Sequence, residues 1–177
     1  MRQRPTTIKE ASAQQKLARG VEHVKTLRLE TSAFVDDDGY RFRVESERRS
    51  AQEVVYRCFA VQQLPIPEHW PLLAGEAVQN LRSGLDHAVW SAWNGVPENT
   101  GDGNHTQFPI CTNPRDYTRR ARRELAGVPE HVQARIEAAQ PYNTMSPAPS
   151  RERLALLGRL SNIDKHRTPL ACGWTPC

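Results

Sequence analysis

Apolar residues recur every three or four positions over long stretches of this 177-residue chain, and one intervening stretch alternates apolar with polar. From Thr7 to Phe34, Ile8, Ala11, Leu17, Val21, Val24 and Leu27 follow helical spacing with charged residues between them, which predicts an amphipathic helix. The turn signal DDDGY (Asp36–Tyr40) ends it. YRFRVE then alternates, and EVVYRCFAVQQL is rich in β-branched and aromatic residues. A β-hairpin is predicted over about residues 40–64, turning at SERRSAQ. PIPEHWP breaks the second strand, and Pro71 suits the first turn of a helix running from Trp70 to about Asn94. Ala74, Val78, Leu81, Leu85, Val89 and Ala92 form the apolar stripe of that central helix.

The segment NGVPENTGDGNHTQFPI reads as a long loop, of the kind that is more often functional or mobile than average. Short helices are predicted from Pro114 to Leu125 and from Pro129 to Ala139, the second ended by QPY, with TMSPAPS (Thr144–Ser150) as a linker. A last helix, Arg151 to about His166, carries Leu154, Leu157, Leu160 and Ile163 on its inner stripe. The expected architecture is mainly α: a single-domain helical bundle over residues 1–177 with a small inserted β-hairpin.

Composition narrows the class. Apolar content of 38% and charged content of 25% suit one soluble core. No run approaches the roughly 18 apolar residues of a membrane span, and the amino terminus lacks an apolar signal region. The chain therefore reads as cytoplasmic, with no membrane partner. Cys58, Cys111, Cys172 and Cys177 lack metal or disulfide spacing and read as reduced thiols. Net charge is +4 with arginine outnumbering lysine 20 to 4, which is compatible with a phosphate-rich partner.

Candidate chemistry sits on the central helix. On a helical wheel Glu76, Asn80, Ser83 and His87 gather opposite the apolar stripe, while Arg82 lies at its edge with Asp86 one turn beyond. A second polar cluster, LSNIDKHR (Leu160–Arg167), holds Asp164, Lys165 and His166. Between them RDYTRRARRE places Arg115, Arg119, Arg120, Arg122 and Arg123 close together, a run that either follows a nucleic-acid backbone or forms a solvated helix face. No His-Glu-x-x-His or similar spacing supports a metal, and no cofactor is implied.

The ordered blocks NLRSGLDH, TQFPI, AAQPY and LSNIDKHR resemble a large group of bacterial proteins over roughly Arg41 to Arg167. In that group further chain with strand character is expected after Arg167, so TPLACGWTPC reads as a shortened end. The pair Arg82 and His87, four residues between them, also resembles the signature of the HEPN superfamily. Its members are helical bundles, and many are metal-independent ribonucleases that act as dimers. The resemblance implies RNA as partner, a homodimer, a toxin or defence role and an antitoxin partner. It implies His87 as general acid or base and Arg82 as the phosphate clamp, with Asn80 and Asp86 orienting them. Arg82 and His87 are about 140° apart on an ideal helix. A shared site therefore needs either two central helices pooled across a two-fold axis or completion by Lys165 and His166. The alternative is a non-catalytic binding or scaffold domain, in which Arg82, Asp86, Asp164 and Lys165 form a structural ion-pair network.

Overall fold

A computed structural model of the chain describes residues 8–166, with side-chain surroundings from Ser12 to Asp164. The fold is mainly helical with one two-stranded antiparallel hairpin. Helix α1 (Ile8–Asp36) and helix α2 (His69–Asn94) run antiparallel against each other along most of their length. Contacts step along the seam from Ser12–His87 through Leu17–Gly84 and Gly20–Leu81 to Phe34–Trp70. Two glycines set the spacing. A Cβ at Gly20 would lie 2.7 Å from Leu81 Cγ, and one at Gly84 would lie 2.6 Å from Leu17 Cγ. Each helix thus seats a leucine in the other's glycine gap, which draws the two backbones close.

At the far end of the seam Glu30 accepts hydrogen bonds from His69 Nε2 (2.6 Å) and Trp70 Nε1 (2.8 Å), tying α1 to the first turn of α2. These bonds hold the Glu30 carboxyl below the usual carboxylate range. Asp38 takes a left-handed conformation (φ 59°) in the turn leaving α1, which aspartate tolerates better than most residues. Strands β1 (Tyr40–Arg48) and β2 (Val54–Gln62) follow, paired from Tyr40–Gln62 to Arg48–Val54. Every hairpin residue except Tyr40 and Val55 is exposed, so the hairpin stands clear of the helices.

The chain after α2 packs on the opposite side of that helix. Helix α3 (Pro114–Glu124) starts at Asn113, whose side-chain oxygen caps the Asp116 N–H at 2.9 Å. Helix α4 (Glu130–Ala138), two short 3-10 turns at residues 141–143 and 149–151, and helix α5 (Arg153–His166) complete the body. The turn beginning at Pro149 takes up what the apolar pattern assigns to the start of the last helix, so α5 begins at Arg153.

The core is built by Val89 and Trp93 of α2 against Phe108, Cys111, Tyr117, Leu125, Val128 and Ile136. Val78 and Val89 of the expected stripe are buried, whereas Ala74, Leu81, Leu85 and Ala92 are half-buried. The stripe is broader than one face because α2 is sandwiched between α1 and the carboxyl-terminal half; Ala77, Gly84 and Trp93 are buried as well. No helix among the described residues is long and apolar enough to cross a membrane.

Candidate functional site

Residues 108–111, near the end of the long loop, cross the body as a largely buried segment without regular secondary structure. Backbone polar groups placed there have no helix or sheet partners, so side chains must supply them. Four do. Asp86 accepts from the Phe108 N–H at 2.8 Å, and Arg82 donates to the Phe108 carbonyl at 2.8 Å. The two clamping side chains pair with each other at 2.9 Å. Gln140, the glutamine of QPY, is fully buried; its oxygen accepts from the Cys111 N–H (2.9 Å) and its amide donates to the Pro109 carbonyl (2.8 Å). Arg120 donates to the Ile110 carbonyl at 3.0 Å and pairs with Glu124, which is only 3% exposed. Arg123 closes on the same carboxylate at 2.8 Å.

The NLRSGLDH, FPI and QPY blocks therefore meet in space as one hydrogen-bonded frame. Asp164 belongs to a different contact. It accepts from Gln79 Nε2 at 2.9 Å and sits over Gly75, where a Cβ would come within 2.7 Å of its Oδ1. The expected Arg82–Asp164 pair is replaced by Arg82–Asp86 and Gln79–Asp164. Lys165 and His166 end α5, and their side chains lie outside the described ones.

His87 leaves α2 on the α1 side, where its Nδ1 is 2.9 Å from the Ser12 hydroxyl. Arg82 leaves toward α3. The structure does not bring the two side chains of one chain into a common cleft. Asn80 donates to the Glu76 carbonyl of its own helix at 2.8 Å, and Glu76 approaches the buried His23 at 3.4 Å. Between Gln79 and Trp93 only Ala88 is exposed, so α2 shows little free surface on which to pool two copies of itself.

A cleft of about 530 Å³ opens where residues 107–112, α3 and α5 meet. Arg82, Arg119, Arg120 and Arg159 line it, with Asp116 as the one acidic side chain among its walls. Arg119 pairs with Asp116 at 2.8 Å, while Arg159 makes no ion pair among the described residues. Burial lowers the Arg82 pKa; Asp86 pulls it back up, and the neighbouring charge of Arg120 pushes it down again. Two like charges thus act on each other in a partly buried setting. Ser161 also lines the cleft; it is 2% exposed, and its hydroxyl has no hydrogen-bond partner among the described residues. A buried hydroxyl without a partner is an uncommon and unfavourable arrangement. Of the remaining RDYTRRARRE arginines, Arg115 and Arg122 are exposed on α3 and make no ion pair among the described residues.

Arg159, Ser161 and Gln140 escape the sequence reading. Arg159 and Ser161 fall between the leucines of the last helix, where only the apolar stripe carries a signal. Gln140 looks like the end of a helix until its partners are seen. Among the described residues no group of three or more His, Cys, Asp or Glu side chains is arranged to hold a metal ion. No family profile, curated protein or solved structure matches the chain.

Proposed function

We propose that the protein binds RNA by its phosphate backbone, seating a phosphate in the arginine cleft between residues 107–112, α3 and α5. The observation that carries this reading is the buried, unpartnered Ser161 hydroxyl among Arg82, Arg120 and Arg159. Arg159, without an ion pair among the described residues, can donate in a pair to a phosphate, Arg82 and Arg120 add positive charge from the cleft wall, and the Ser161 hydroxyl gains an acceptor. Arg115 and Arg122, exposed on α3, add to the cationic surface outside the cleft.

Binding without cleavage is the form this geometry favours. Breaking an RNA strand without metal needs both a general acid and a general base at the phosphate. No histidine among the described residues lines the cleft, and His87 is engaged with Ser12 on the other side of α2. In this reading Arg82 and Asp86 position the floor of the cleft by holding Phe108, and His87 pins α1.

Fluorescence anisotropy with a labelled single-stranded RNA, titrated at several salt concentrations, tests the proposal. Affinity falls as salt rises, and Arg159→Glu weakens binding and flattens the salt slope by about 0.7 per lost phosphate contact. Ser161→Ala weakens binding without changing the slope. RNA that stays free at low salt overturns the proposal, as does binding indifferent to Arg159→Glu. The same incubations run with excess chelator and resolved on a gel reveal any cleavage. Strand scission abolished by His87→Ala would reinstate the catalytic pair.

A further inference from the structure

The hairpin carries a large exposed apolar face. Phe42 is 69% exposed, Val44 61% and Tyr56 68%, and they share one side of the sheet with Val54, Cys58 and Ala60. Two strands alone are marginal in water, and both edges here are unpaired among the described residues. The edge of β1 says what completes it. Hydrogen bonds from Arg49 N–H to the Glu53 carbonyl and from Gln63 N–H to the Gly39 carbonyl mark the odd-numbered residues of β1 as those bonded to β2. Tyr40, Phe42, Val44, Ser46 and Arg48 therefore point their N–H and C=O groups outward.

The sequence along that edge is Arg41-Phe42-Arg43-Val44-Glu45-Ser46-Glu47, with charges that reverse sign about Val44. We infer that β1 pairs antiparallel with β1 of a second copy of this chain, the two-fold axis passing at Val44 and joining two hairpins into one four-stranded sheet. In this register Val44 meets Val44 of the second copy and the two exchange both backbone hydrogen bonds, as outward-pointing positions must. Arg43 falls opposite Glu45 and Arg41 opposite Glu47, each twice by symmetry. These are non-hydrogen-bonded positions, where opposing side chains stand closest and charge complementarity counts most. Phe42 lands beside Ser46 and diagonal to Val44 of the second copy, so the exposed apolar face becomes continuous across the axis. Within one chain Arg43 reaches Glu45 at 3.1 Å and Arg57 reaches Glu47 at 3.0 Å, but Arg41 makes no ion pair among the described residues. The other edge offers nothing comparable: Arg57 is the only charged residue in β2 and has no opposite charge to meet. The partner is a second copy because an isologous contact needs a self-complementary patch, and β1 has one.

The test uses two charge variants of the full chain and light scattering after size exclusion. The wild type should weigh twice 20.1 kDa. Arg41→Glu with Arg43→Glu makes the four charges at positions 41–47 all acidic, and Glu45→Arg with Glu47→Arg makes them all basic. Each should self-associate at least about tenfold more weakly, since attractive cross-strand pairs become repulsive ones. Mixed together, the two should recover the double mass as a heterodimer. Val44→Pro offers a variant that keeps all charges. It removes the central outward N–H without touching the β1–β2 bonds, and should also leave a monomer. A wild type that is monomeric at every concentration overturns the inference. So does association unchanged in the charge variants, or a mixture that stays monomeric.

Discussion

Replacing Arg82 by alanine separates a structural clamp from a surface cation. The Arg82 side chain is 12% exposed and makes two contacts that nothing else nearby can replace, to the Phe108 carbonyl at 2.8 Å and to Asp86 at 2.9 Å. Its removal leaves the carbonyl without that donor and takes the Arg82 countercharge from Asp86. Breaking one side of a buried ion pair typically costs 3–5 kcal/mol, and Asp86, 30% exposed, recovers part of that from water. The expected loss is about 3 kcal/mol, which for a domain of this size lowers Tm by roughly 6–12 °C. Circular dichroism melts, with urea unfolding as a check, read this directly. Arg82→Lys keeps the charge but not the fork that spans Phe108 and Asp86 together, and should fall between wild type and alanine. His87→Ala removes one hydrogen bond at the α1 seam and should cost about 1 kcal/mol. If Arg82→Ala melts with the wild type, or no lower than His87→Ala, the clamp has been misjudged.

The α1–α2 seam gives a second test: Gly84→Val puts a branched side chain where a Cβ alone would stand 2.6 Å from Leu17 Cγ. Overpacking of this kind should cost about 2 kcal/mol, and a thermal melt matching wild type would mean the helices are not in close contact. The third concerns alkaline pH. Burial, reinforced by the charge of Glu137, pushes Tyr117 and Tyr142 up to about 12. Because these phenols hold their protons more tightly folded than unfolded, their contribution to stability is full below pH about 10 and is lost as pH rises toward 12. Absorbance at the phenolate band should show two late-titrating groups, and a urea midpoint should fall over the same range. All four tyrosines ionising together near the unperturbed value would contradict the packing described for Tyr117.

Periodicity located the helices and the hairpin because each rests on a local rule: helical spacing, turn residues, β-branched runs. Side-chain destinations were less legible. A wheel drawn for α2 places Arg82 at the edge of the apolar stripe and His87 opposite it, which is where they are, but it does not show that a second layer covers each side. His87 meets α1 and Arg82 meets the loop, so a pair five positions apart on one helix is divided between two interfaces. The long loop suggested mobility, yet Phe108, Pro109 and Cys111 near its end are among the most buried residues. The pattern could not reveal this, because the partners that make burial of that backbone tolerable lie 22, 26, 10 and 29 to 31 residues away in the chain.

Those distant partners explain why the central helix carries an arginine and an aspartate where leucine would pack as well. The atoms they serve belong to the protein's own backbone. An irregular segment driven through a core leaves N–H and C=O groups that cost up to about 3 kcal/mol each if unmet. Asp86, Arg82, Gln140 and Arg120 meet them from two helices and a turn. Such a frame concentrates cations as a by-product. Two of its four members are arginines that line the same opening as Arg119 and Arg159. The side chains of the frame have protein partners; the Ser161 hydroxyl has none among the described residues. The Ser91 hydroxyl of α2, away from the cleft, is likewise unpartnered among the described residues, so what marks Ser161 is its place on a wall lined by four arginines. Ser161→Ala therefore separates the two roles. A scaffold should gain or hold stability when the unmet group is removed, with nothing else changed. A binding site should do the same and lose affinity for RNA. Loss of stability in that variant would show that Ser161 is already satisfied, and the argument for a ligand would go with it.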